Sequence, residues 1–198
     1  MRKAPQVTSL QPRARMAGVS LIELMVVVAI AAMLLGIGTS SYKSITTSSR
    51  IASEINGLLG DMQYARSEAI KQGQTVAVCV STSGTDCTGG TRWDQGWIVV
   101  VSSANPPTTG SNAALVLRKQ AAFTGGANAD TLTDGTTSFV AFDREGLALG
   151  LLSTMSGMGG AVIPLHDATS NATRTRCLQV TNIGNVSVQQ PSTLANCS

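Results

Sequence analysis

Two hydrophobic periods divide the chain. Residues 19 to 38, VSLIELMVVVAIAAMLLGIG, form a 20-residue run with a single charge, Glu23. At about 1.5 Å per residue the run makes roughly 30 Å of helix, the thickness of a bilayer's hydrocarbon core. Further on, Ile51, Ile55, Leu58, Met62, Ala65 and Ala69 recur at steps of four and three, the stripe of a helix packed along one side. Lys71 and Gln72 precede Gly73, which puts a cation near the last turn and a glycine at the stop. Unbroken from Val19 to Gln72, this helix would be about 81 Å long. Gly36, Gly38 and Thr39-Ser40-Ser41 weaken its middle, where a bend or local melting is expected. The stripe lasts under three heptads and lacks charged flanks, which favours packing against the chain's own β domain over a coiled coil.

After Gly73 the period becomes that of strands. Residues 75–80 and 97–101 read as two strands joined by a Ser/Thr/Gly-rich loop, and 113–118, 138–142, 161–165, 176–181 and 185–189 follow. Loop signals fall at 105–110 (NPPTTG) and 125–128 (GGAN). The pattern predicts an α+β fold, a long N-terminal helix packed on an antiparallel β-rich head. With only seven aromatic residues, the core must rely on Val, Leu, Ile and the helix stripe.

Charge changes the picture at the N-terminus. The formal net charge is +3, but Arg2, Lys3, Arg13 and Arg15 lie in the first 18 positions, and beyond them 10 basic residues face 11 acidic ones. A strongly basic protein that wraps nucleic acid is therefore excluded, and 43% hydrophobic residues exclude charge-rich disorder. Basic residues before the apolar run, with only Lys43 and Arg50 soon after it, place the N-terminus in the cytoplasm and the remainder outside. The small pair Ala17-Gly18 precedes the run instead of following it, so cleavage there would leave the run on the mature protein as an anchor.

Four cysteines, Cys79, Cys87, Cys177 and Cys197, form an even set in an exported domain, which favours disulfides. Three pairings are open. The expected one joins Cys79 to Cys87, closing the first β loop, and Cys177 to Cys197, tying down the C-terminal tail. Zinc is disfavoured by the wide spacings and by a single histidine, His166. No metal and no cofactor are expected. Ser40-Ser41-Tyr42-Lys43 formally fits S-x-x-K but sits on the helix at the membrane exit. Gly157-Met158-Gly159-Gly160 has no helix signal behind it. Enzyme chemistry is not expected.

Gly18-Val19-Ser20-Leu21-Ile22-Glu23-Leu24 resembles the G-F-T-L-I-E-L processing motif of type IV pilins and type II secretion pseudopilins, with Val19 where the family usually has Phe. The resemblance implies a prepilin peptidase that cuts after Gly18 and methylates the new amine of Val19. Glu23 also has a physical account of its own. A carboxylate inside a membrane helix costs roughly 2.5–3.5 kcal/mol and needs a partner. That partner is either its own helix N-terminus or the Val19 amine of a neighbouring subunit, which would set axial register.

The head carries the resemblance further. Ala65-Arg66-Ser67-Glu68-Ala69-Ile70, Asp94-Gln95-Gly96-Trp97 and Phe142-Asp143-Arg144-Glu145-Gly146 are similar to stretches of the GspH/FimT/FimU group. Taken singly, Arg66 and Glu68 read as a solvated helix face, Trp97 as a core anchor and Gly146 as a turn. The resemblance implies four segments: a cleaved leader (1–18), the transmembrane half of the helix (19–44), its amphipathic half (45–72) and a β-rich globular head (73–198). It also implies a minor pilin or pseudopilin that helps to initiate or cap a type IV pilus or type II secretion pseudopilus. Such a subunit sits in the bacterial inner membrane, single pass with a periplasmic head, until it joins the fibre. Its partners would be the prepilin peptidase, other pilins or pseudopilins and the inner membrane, with the helix stripe and open sheet edges as interfaces. The loop expected between Cys79 and Cys87 resembles the pilus-associated FimU branch. The alternative is a DNA-binding minor pilin for natural transformation, which the FimT branch implies through a G-R-x-R motif. Here Asn185 and Ser187 stand where those arginines would be, leaving Arg174 and Arg176 as the candidate DNA contacts.

Overall fold

A computed structural model describes residues 18–101, 115–123, 131–132, 137–149, 160–167, 169–191 and 197, without the side chains of 37–41 and 131–132. Residues 1–17 of the expected leader, the loops at 105–110 and 125–128, and glycine-loop residues 157–159 lie outside the described residues. The chain divides into two units, Met1–Lys43 and Ser44–Ser198.

The helix α1 spans Leu21–Gln72, with Glu23 in its first turn and Lys71 in its last. Gly73, at φ +65°, ends it in the left-handed conformation that glycine adopts without a Cβ penalty. The local melting expected around Gly36–Ser41 does not occur, since α1 runs on through these residues. In the first unit the apolar side chains are exposed on every side of the helix, from Leu21 (78%) and Ile22 (68%) to Leu34 (67%) and Leu35 (70%). A helix that is apolar all round needs lipid or other chains to cover it. Among the described residues, no helix is long and apolar enough to cross a membrane; the apolar stretch with described side chains ends at Gly36, before the run itself does.

In the second unit the helix stripe is the floor of the core. Ile51, Ile55, Leu58, Met62, Ala65 and Ala69 are each at most 1% exposed and join one cluster with residues of both sheets. The first sheet contains β1 (Val76–Val80), β2 (Gly96–Val101), β3 (Leu115–Ala121), β5 (Phe139–Phe142) and β6 (Ala148–Leu149) in the order β3-β2-β1-β5-β6. The second contains β4 (Thr131–Leu132), β7 (Gly160–His166), β8 (Arg176–Thr181) and β9 (Val186–Gln189) in the order β4-β7-β8-β9. All pairings among these strands are antiparallel.

Strand β1 is central and buried on both faces. Its alternation sends Val76, Val78 and Val80 to the main core, and Ala77 and Cys79 to a second cluster with Ile98, Val100, Ala141 and Cys87. The third strand is described over 115–121 and runs past the 118 at which the pattern ended it, while 113 and 114 lie outside the described residues. The two-residue strands β4 and β6 are too short to show any period in the sequence.

The β7–β8 connection is organised by one buried carboxylate. Asp167, 3% exposed, accepts hydrogen bonds at Oδ1 from the Thr169 and Asn171 amides and the Thr169 hydroxyl. Its Oδ2 pairs with Arg174 Nη1 at 2.6 Å. Burial alone would push this carboxyl up, but the Asn171 and Thr169 donors and the Arg174 guanidinium together hold it below its usual range. A group with a depressed folded pKa stabilises the fold above its unfolded value, about 4, and loses that contribution as the pH falls through the folded value. Asp167→Asn is expected to cost about 2 kcal/mol at neutral pH, by leaving Arg174 unpaired and an amide N–H facing it. Urea unfolding at pH 7 and at pH 3 checks this, because the gap between variant and parent should narrow at the lower pH.

Candidate assembly site

Gly18, Val19 and Ser20 lie just ahead of α1, and the Leu24 amide donates to the Ser20 carbonyl at 3.2 Å. Val19 is 68% exposed. Glu23 is exposed in the first turn and has no side-chain partner among the described residues. Its carboxylate sits where the helix dipole and free amides are positive, a setting that favours an anion at low dielectric. Gly18, Val19 and Glu23 thus share one exposed end of the helix.

A second cluster joins the helix to both sheets. Arg66 is not a solvated surface charge. Its Nε donates to the Gly146 carbonyl at 3.0 Å and its Nη2 to the Ile183 carbonyl at 3.2 Å. The first acceptor belongs to a turn built by Asp143, whose Oδ1 accepts from the Glu145 and Leu147 amides at 3.0 and 2.8 Å. The second belongs to the β8–β9 hairpin, closed by Gly184 N–H to the Thr181 carbonyl and Thr181 N–H to the Asn185 carbonyl. Gly146 (φ +80°) and Gly184 (φ +77°) both need the left-handed region. A Cβ on Gly184 would also strike the Gly146 carbonyl oxygen. The two turns are stitched by Ala148 N–H to the Asn182 carbonyl at 3.0 Å.

Glu68 is not a solvated charge either: its side chain is 13% exposed, and Gln72 and then Lys71 hold its carboxyl below the usual range. A groove of about 300 Å³ runs beside the stitch, lined by Gln63, Arg66, Ser67 and Ile70 of α1 and by residues 184–186.

Asp61 gave no signal in the sequence beyond being an acid between stripe residues. It accepts from Trp97 Nε1 at 2.9 Å and from Arg118 Nη1 at 3.2 Å, while Arg118 lies over the Tyr64 ring. This explains why a buried tryptophan follows the Asp94-Gln95-Gly96 stretch: Trp97 needs a polar acceptor, and the helix supplies it. Gly96 itself allows close approach, since a Cβ there would lie 2.7 Å from the Gln120 carbonyl oxygen.

The structure joins Cys79 to Cys87 with Cα atoms 5.6 Å apart, and Cys177 to Cys197 with Cα atoms 5.9 Å apart. The first bridge lies on the face of β1 turned away from the helix. Arg174 is held by Asp167, and Arg176 Nη1 donates to the carbonyls of Thr173 and Thr175. Arg176 begins β8 and Arg174 precedes it, while Ser187 pairs with Gln179, about 10 Å along the strand from Arg176, and Asn185 is bonded to Thr181 at the strand's far end. Among the described residues, no group of three or more His, Cys, Asp or Glu is placed to hold a metal ion.

Residues 54–184 match the family described as Type II transport protein GspH, and residues 13–39 match the prokaryotic N-terminal methylation motif. The fold is similar to that of the type IV minor pilin FimU of Pseudomonas aeruginosa strain PAO1. Against one crystal form the TM-score is 0.52 at 19% identity, covering 76% of this chain and 94% of that one. Against another the TM-score is 0.47 at 20% identity, covering 73% and 94%. Among curated proteins no sequence matches. The GspH match spans more than half of the chain and lies behind a prepilin methylation motif, on a helix-and-sheet head of the minor-pilin kind. The chain belongs to the family described as Type II transport protein GspH, and its head has the fold of a minor pilin.

Proposed function

We propose that this protein is a non-catalytic subunit that helps to initiate or cap a fibre. In this reading it is cut after Gly18 and methylated on Val19. It is held in the inner membrane by residues 19–44, with the amphipathic half 45–72 and the head 73–198 on the periplasmic side, before joining other pilins. The observation that carries the reading is the helix exposed and apolar on all sides from Leu21 to Leu35, with Glu23 as its one charge. Such a surface suits lipid first and neighbouring helices afterwards, and the unpartnered Glu23 suits a neighbour's Val19 amine. The Cys79–Cys87 loop favours a type IV pilus over a secretion pseudopilus, by resemblance to the FimU branch. DNA binding has less support, because Arg174 is committed to Asp167 and the chain beyond residue 18 carries no excess of positive charge.

Mass spectrometry of the protein purified from native membranes tests the processing. The expected species begins at an N-methylated Val19 and co-purifies with other pilin-type subunits. A mature protein that still begins at Met1 would contradict it.

A further inference from the structure

Strand β9 ends the second sheet, and its register determines what its outer edge offers. Thr181 N–H bonds to the Asn185 carbonyl, and the pairs Gln179↔Ser187 and Cys177↔Gln189 follow at steps of two. In an antiparallel ladder such residues face their partner strand, and the residues between them face away. The N–H and C=O groups of Val186 and Val188 therefore point outward, and none of the described residues bonds to them. The groove beside the stitch opens at Val186. Among the described residues, Arg66 is the only charged one that lines it. Its Nε and Nη2 hold the two turns, and its Nη1 bonds to none of the described residues.

We propose that the β9 edge and this groove are a docking site for an extended, carboxylate-bearing segment of a neighbouring pilin-type subunit, which adds to the sheet as a further strand. This rests on the assembly reading above and names one of its contacts. Four outward backbone groups at strand spacing call for another backbone in extended form. A guanidinium with free N–H groups calls for a carboxylate. The exposed Ile70 and Ile183 (52% and 67%) offer apolar contact for alternate side chains of the added strand. A nucleic acid is the poorer fit, because one arginine flanked by Asn185 and Gln63 gives little phosphate neutralisation.

The test uses full-length protein in its native membrane, with the photo-crosslinking residue p-benzoyl-phenylalanine at the exposed position 63. The expected product is a crosslink to a peptide of another pilin-type subunit that contains Asp or Glu. Val188→Pro removes an outward N–H and leaves every bond to β8, so the head should still fold, its unfolding temperature lowered only by the lost core contact of Val188. Crosslinking should fall by about tenfold or more, as expected for the loss of one or two hydrogen bonds. Asn185→Asp, which puts a negative charge beside Arg66 without touching the strand, should lower it similarly, and Asn185→Gln should not. If Val188→Pro disturbs folding, the Asn185 pair decides alone. Crosslinks to nucleic acid or lipid, or yields unchanged in Val188→Pro and Asn185→Asp, overturn the docking site. If these variants join the fibre and crosslink normally while Glu23→Ala does not assemble, docking falls and the assembly reading stands. If Glu23→Ala assembles as well, both fall.

Discussion

Glu23→Ala protein is expected to reach the membrane in normal amount and to be missing from the fibre. The substitution removes an acid whose insertion costs roughly 2.5–3.5 kcal/mol, so membrane insertion becomes easier. What is lost is the partner of a neighbour's Val19 amine. Losing one member of a desolvated, hydrogen-bonded charge pair costs about 3 kcal/mol, or about a hundredfold in association. Glu23→Gln separates the two accounts of this residue. If the carboxylate only satisfies the free amides of its own first turn, a glutamine oxygen serves in part and assembly survives. If it pairs with an amine, Gln should fail almost as badly as Ala. Membrane fractionation alongside immunoblots of sheared fibres gives both readouts, and normal incorporation of Glu23→Ala would sink the pairing.

The largest loss of fold stability is expected from Gly184→Ala. Its left-handed backbone costs a residue with a Cβ about 1–2 kcal/mol. Collision of that Cβ with the Gly146 carbonyl forces the two turns apart, at about 1–3 kcal/mol more. Arg66 then loses the geometry that lets one guanidinium hold both carbonyls. The total of about 2–5 kcal/mol should lower the melting temperature of the head by roughly 10 °C. Gly57→Ala is the contrast. It lies on the exposed side of α1 with nothing within 4 Å of the position an added methyl group would take, and should raise stability by up to about 1 kcal/mol. Thermal unfolding followed by circular dichroism compares the two. A Gly184→Ala protein as stable as the parent would show that the turns do not depend on this close approach.

Most of the fold is legible in the sequence because it rests on periodicity. The stripe from Ile51 to Ala69 identifies the buried face of the helix, and six of the nine described strands coincide closely with runs read from composition. The seventh run ends short of the strand because β3, an edge strand with mostly exposed side chains, has a weak alternation. Strands β4 and β6 are held by neighbours and not by any pattern of their own. The polar joints are harder to read for a different reason. Arg66 is 80 residues from Gly146 and 117 from Ile183, and Asp61 is 36 from Trp97. Helical spacing shows that Arg66 leaves the apolar stripe, but not that two carbonyls will meet it. The family resemblance marks both Arg66 and Gly146, and the structure supplies the reason that they occur together.

The Arg66 stitch also bears on how the head would carry a mechanical load. A subunit in a fibre is pulled through its helix, and the force must cross from α1 to the sheets. Apolar contacts between the stripe and the strands resist separation but slide comparatively easily, because they are not directional. The guanidinium is directional, and it grips a turn next to each sheet at one point. Shear along the helix would therefore load the two turns together, ahead of either sheet's own ladder. The yield point of the head under tension would lie at its two glycine turns, while the disulfide-closed β1 loop on the opposite face stays unloaded.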